Sequence, residues 1–131
     1  MTPLYNQACT LQRDGRFRDA IDTFERALRE SISAIDRMVI KYGLAICVWE
    51  SADLEMDGKV HSLGVQGLAA AETAQKLWED VVNIYHDEVE GEADELAGWP
   101  FRHGSPHQMC KDAVAASTRA YSAIDRVKRG R

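Results

Sequence analysis

The chain has 131 residues, 45% of them apolar, with 16 Lys and Arg against 21 Asp and Glu for a net charge of −5. That length suits one domain able to bury a core of its own, and the apolar fraction is too high for a disordered chain. The charge speaks against a surface built to grip nucleic acid, and no run of about 18 apolar residues exists to cross a membrane. The start, Met1 to Gln7, lacks the charged and apolar stretches of a secretory signal. Cys9, Cys47 and Cys110 are odd in number and far apart. Together these point to a cytoplasmic protein with reduced thiols.

Helical spacing runs through the whole chain, and no strand pattern occurs. Thr2-Pro3 suits the start of a first helix, with Leu4, Ala8 and Leu11 on one face and Asp14-Gly15 as its end. Phe17, Ala20, Ile21, Phe24, Ala27 and Leu28 then mark the buried stripe of a second helix, joined to the first by a link short enough to force a hairpin. Ser33 with Asp36, or else Ser31, caps a third helix. From Met38 to Trp49 only Lys41 and Gly43 break its apolar run, which predicts a central helix over 33–57. A long helix is expected over 60–90, with Leu68, Ala71, Ala74, Leu77, Trp78, Val81, Val82 and Tyr85 inward. Residues 91–104 read as an acidic and aromatic loop.

Ser105-Pro106 with Gln108 gives the strongest helix start, for a last helix over 105–129. Its expected inner face is Ala113, Val114, Ala120, Tyr121, Ile124 and Val127, and Gly130 ends it. The expected fold is all-α, about five helices in one compact bundle forming a single domain over 1–131.

The segment from Tyr5 to Leu28, with Ala8, Leu11, Gly15-Arg16-Phe17, Ala20, Phe24 and Ala27, resembles a tetratricopeptide (TPR) repeat. Small residues let two antiparallel helices touch, and aromatics fill the space beside them. The resemblance covers residues 3–30; Ile32 stands where the family usually has Pro, and no second copy follows in register. It implies a TPR-like hairpin leading long antiparallel helices, and a protein-binding groove lined by Tyr5, Cys9, Gln12 and Arg13. Chaperone-binding members carry Lys and Asn at the places of Tyr5 and Cys9, so a chaperone tail is not the expected ligand.

The net charge is unevenly laid out, at +1 over residues 1–41, −11 over 42–101 and +5 over 102–131. Asp87, Glu88 and Glu90 form the heart of an acidic patch that would either solvate the surface, steer a basic partner or face the basic last helix. Arg119, Arg126, Lys128, Arg129 and Arg131 read as complements to a helix dipole or an acidic neighbour rather than as a nucleic-acid grip. Trp99 and Phe101 must either tuck under their loop as a plug, the favoured reading, or stand out as a binding anchor.

Chemistry has few footholds. His103, His107 and Cys110 are ligand types that zinc accepts, with a fourth ligand needed from Cys9, Cys47 or an acid near Glu92. The simpler reading of His107 is a first-turn polar residue, and of Cys110 a small core residue. His86 and Glu90, four apart, read as a solvated helix face. No nucleophile elbow, phosphate loop or dinucleotide fingerprint occurs. The expectation is a protein–protein interaction module (an adaptor, regulator or partner-specific chaperone), without enzyme activity, metal or cofactor, and able to form a homodimer. Its expected contacts are Tyr5, Gln12, Arg13, Asp87, Glu88, Glu90, Trp99 and Phe101. The alternative is a small acidic inhibitor or immunity-type protein that masks a basic surface, such as that of a nuclease.

Overall fold

A computed structural model describes residues 3–31, 33–52, 65–92 and 104–129. The first helix, α1 (Pro3–Arg13), is stopped by Gly15, whose φ of +80° is one that side-chain-bearing residues rarely adopt. The N–H of Arg16 bonds the carbonyl of Leu11 at 2.9 Å across this stop, and α2 (Phe17–Glu30) starts at once. Tyr5, Ala8 and Cys9 of α1 are buried with Ala20, Phe24 and Ala27 of α2, and Tyr5 meets Phe24 edge to face at 6.0 Å.

Ser33 caps α3 (Ala34–Ser51) by accepting the N–H of Asp36 at 3.2 Å. Eleven residues of α3 are buried, as expected of a helix with protein on most sides. It packs on α2 on one flank and on α4 (Val65–Ile84) on the other. The two exceptions in its apolar run each have a use. Gly43 lets the ring of Phe24 come close to the backbone of α3, and Lys41 reaches Asp80 of α4 at 3.0 Å. On the α4 flank Trp49 meets Trp78 with ring centres 5.5 Å apart.

After Ile84 the helix does not run on regularly to residue 90. It widens into a π turn, Tyr85–Val89, and ends in a 3₁₀ turn, Glu90–Glu92. The spacing of Val81, Tyr85 and Val89 gives no warning of this, because residues four apart fall on one side in either geometry. The last helix, α5 (Pro106–Arg129), starts at Ser105, whose hydroxyl accepts the N–H of Gln108 at 3.1 Å.

Each helix packs chiefly on its neighbours in the chain, α1 on α2, α2 on α3, α3 on α4 and α4 on α5. The fold is all-α, with five α-helices and no strand among the described residues. The parts of the expected helices at 53–57 and 60–64 lie outside the described residues, as does most of the 91–104 loop.

Tyr42, Cys47, Tyr85 and Cys110 in the core all resist ionisation, the first two most strongly. Burial, helped by the charges of Glu50 and Cys9, pushes the Cys47 thiol from its ordinary 9.0 to about 12. Burial and the Asp112 carboxylate, which accepts the Tyr42 hydroxyl, push Tyr42 from 10.0 to about 12. Both folded values lie above the unfolded ones, so this stability is whole below the ordinary values and is lost as pH rises from there through about 12. The urea midpoint is therefore expected to fall steadily above about pH 9. The fall should be shallower in Cys47→Ala; a midpoint that stays flat to the alkaline end would contradict this.

Candidate functional site in the groove between α4 and α5

The buried residues of α5 are Pro106, Met109, Cys110, Ala113, Ala116, Ala120, Ala123 and Ile124, half of them alanine. Small side chains let α5 lie close on α4 and turn its larger ones aside. Val114 and Tyr121, expected on the inner face, are instead 48% and 60% exposed, the large apolar side chains that stand out among the described residues. They are seven apart with Thr118 between them, so they share one face of α5.

That face forms one wall of a groove whose other wall is α4. At one end is a pocket of about 380 Å³ with Tyr121, Ile124 and Lys128 opposite Glu72, Gln75 and Glu79. The middle, about 350 Å³, lies between Val114 and Thr118 on one side and Glu79 and Val82 on the other. The far end, about 360 Å³, is reached past Val114 and contains His86, Glu90, His107 and Cys110. The α4 helix holds three carboxylates, Glu72, Glu79 and Asp80, and one basic residue, Lys76. Some of that charge is answered inside the fold, by Lys41 and Lys76 on Asp80 and by Lys128 at 3.9 Å from Glu72.

The groove expected along α1 is not open. Tyr5 is 1% exposed and Cys9 is buried; the Tyr5 ring lies against Phe24 of α2, near Gly43 of α3. Gln12 is turned to α3, donating to Glu50 at 3.3 Å, while Arg13 is exposed at the end of α1. Asp87, Glu88 and Glu90 are all exposed. Arg37 of α3 holds Glu88 with bonds of 3.0 and 3.2 Å, and His86 holds Glu90 at 3.2 Å. Trp99, Phe101 and His103 lie outside the described residues.

His107 and Cys110 do not aim at a common point. The Nδ1 of His107 meets the Tyr85 hydroxyl at 3.3 Å, whereas the Sγ of Cys110 meets Nε2 of His86 at 3.9 Å. Among the described residues no three His, Cys, Asp or Glu side chains are placed to hold a metal ion. No described helix is long and apolar enough to cross a membrane. No protein-family model, curated protein or solved structure matches the chain.

Proposed function

We propose that the chain is a protein-binding module whose docking surface is the α4–α5 groove, and that its partner contributes an amphipathic helix with basic flanks. The observation that carries this is the pair Val114 and Tyr121, exposed on one face of α5 directly over the groove. Exposed apolar side chains in a concave strip are what a helix-in-groove partner covers. Glu79 in the middle of the groove and Glu90 at its far end supply the charge preference, because opposite charge at the rim speeds docking and rejects acidic competitors. The TPR-like pattern supports the same class of function: Ala8, Ala20, Phe24 and Ala27 are all buried in the α1–α2 hairpin. Ala74, Trp78 and Val81 of α4 repeat the spacing of Ala20, Phe24 and Ala27.

The inhibitor alternative draws on Asp87, Glu88 and Glu90 as a bare acidic patch. It is the less favoured reading, because Glu88 is already paired with Arg37.

The test is a synthetic helical peptide with a leucine stripe and flanking Lys and Arg, titrated into labelled protein by NMR. Shifts are expected to concentrate on α4 and α5, and Val114→Glu with Tyr121→Glu should weaken binding at least about tenfold. Both side chains are exposed, so the double variant should keep the native fold. Replacing the peptide's Lys and Arg by Glu should also weaken it. Shifts centred on α1 and α2, or an affinity unmoved by the double variant, would contradict the proposal. Sedimentation of the free protein separates a second copy of the chain as the occupant, since the dimer would then be lost in the same variant.

A further inference from the structure

At the far end of the groove three side chains line up in series. Glu90 Oε2 lies 3.2 Å from Nδ1 of His86, and Nε2 of the same ring lies 3.9 Å from the Sγ of Cys110. A carboxylate can only accept, so this bond places the ring proton on Nδ1 and leaves the Nε2 lone pair facing the thiol. The π turn that carries Tyr85 and His86 packs on α5, and Tyr85 stands edge-on to the His86 ring at 5.3 Å. A widened turn of this kind is frequent where a helix re-aims side chains for use. The sulfur borders a pocket of about 360 Å³ that is mainly apolar, with Val114 at its mouth and Lys111 and His107 on its wall.

We infer that Cys110 is a thiol-exchange site, in which His86 is the base and Glu90 orients it, and that it takes a small disulfide of low polarity to form a mixed disulfide. The Cys110 Sγ attacks one sulfur of the incoming disulfide. The new Sγ–S bond forms as the old S–S bond breaks, and the proton of the thiol passes to Nε2 of His86 and from there to the departing thiolate. Cys110 is oxidised to the disulfide level and the departing sulfur is reduced to a thiol, so no further oxidant is needed.

The base matters because Cys110 does not ionise readily alone: burial, and then the charge of Glu90, push its thiol up. A thiol in such a setting reacts when a neighbour takes its proton during the attack. Charged and titratable groups around His86 are Tyr85 on its own turn, Glu90 on the 3₁₀ turn that follows, and Cys110, His107 and Lys111 from α5; Arg37 of α3 is engaged by Glu88. Cys47 provides the internal contrast. Its sulfur faces the carbonyl of Phe17 at 3.8 Å, an acceptor that cannot take a proton. The inference stands apart from the docking reading, although a mixed disulfide would fill one end of the same groove.

The experiment is incubation of the full chain with hydroxyethyl disulfide, with each cysteine followed by peptide mass spectrometry over time and pH. Cys110 is expected to react at least about tenfold faster than Cys47 and Cys9, with a rate–pH profile that bends below the thiol's own titration. His86→Asn should remove that bend and slow Cys110 at least about tenfold. Glu90→Gln, an exposed change that spares the core, should slow it as well, which keeps the test valid if His86→Asn disturbs the fold. Equal reactivity of the three cysteines, or a rate and pH profile unchanged in both variants, would overturn the inference.

Discussion

Trp78→Ala is expected to cost about 3–5 kcal/mol, the largest single loss expected among the described residues. Trp78 is 1% exposed and is the bulkiest of the fully buried side chains, set on α4 against Trp49 of α3. Removing the indole forfeits its burial and the contact between the two rings, and leaves a void between helices that are joined by a close interface. A domain of this size has only about 5–15 kcal/mol in hand, so the variant should melt well below the native protein and be partly unfolded in mild urea. Tyr121→Ala is the matched control, another aromatic removed but from an exposed position, and it should change stability by no more than about 0.5 kcal/mol. Urea unfolding followed by circular dichroism compares the two. Equal small losses would mean that the α3–α4 interface is not where the core lies.

Gly43→Leu is the second large effect, and it acts by crowding. A Cβ at this position would stand 3.0 Å and 3.1 Å from Cε1 and Cζ of the Phe24 ring. That ring is fully buried and leans on Tyr5, so it has nowhere to go without moving α2. Overpacking of this kind costs about 1–3 kcal/mol, against a gain of about 1 kcal/mol from replacing glycine within a helix. Net destabilisation is expected, with α1 and α2 loosened relative to α3. Gly91→Ala tests the logic from the other side, because nothing lies within 4 Å of its Cβ, and it should be neutral or slightly stabilising. Hydrogen exchange resolved by residue would show whether the loosening is confined to the α1–α2 hairpin in Gly43→Leu.

The helices were legible because their signals are local. Gly15 stops α1, Ser33 starts α3 through Asp36 and Ser105 starts α5 through Gln108, each within four residues of sequence. The central place of α3 followed equally directly from its apolar run. The groove was not legible in the same way. Val114 and Tyr121 are larger and more apolar than their neighbours, so a reading weighted by hydrophobicity assigns them to the inner face. Ala113, Ala120 and Ile124 of the expected face are buried, and Ala116 and Ala123, just as helical in spacing but too small to stand out in such a reading, complete the stripe in place of Val114 and Tyr121.

Tyr5 shows the reverse error. The TPR-like pattern placed it on an open face, whereas its ring is buried against Phe24 of α2 and near Gly43 of α3, contacts between residues far apart in sequence. The His86–Cys110 pairing was hidden for the same reason. Each residue had a local partner to suggest, Glu90 for one and His107 for the other, but the pairing of His86 with Cys110 depends on α5 lying beside the π turn.

The most direct test of the docking groove is site-specific photo-crosslinking in the native host, with a photoreactive residue placed at position 121 in one strain and at position 22, on the exposed side of α2, in another. The account predicts an adduct with a second protein from position 121 that disappears when Val114→Glu is added, and none above background from position 22. Equal adducts from both positions, an adduct that survives Val114→Glu, or an adduct containing only a second copy of this chain would contradict it.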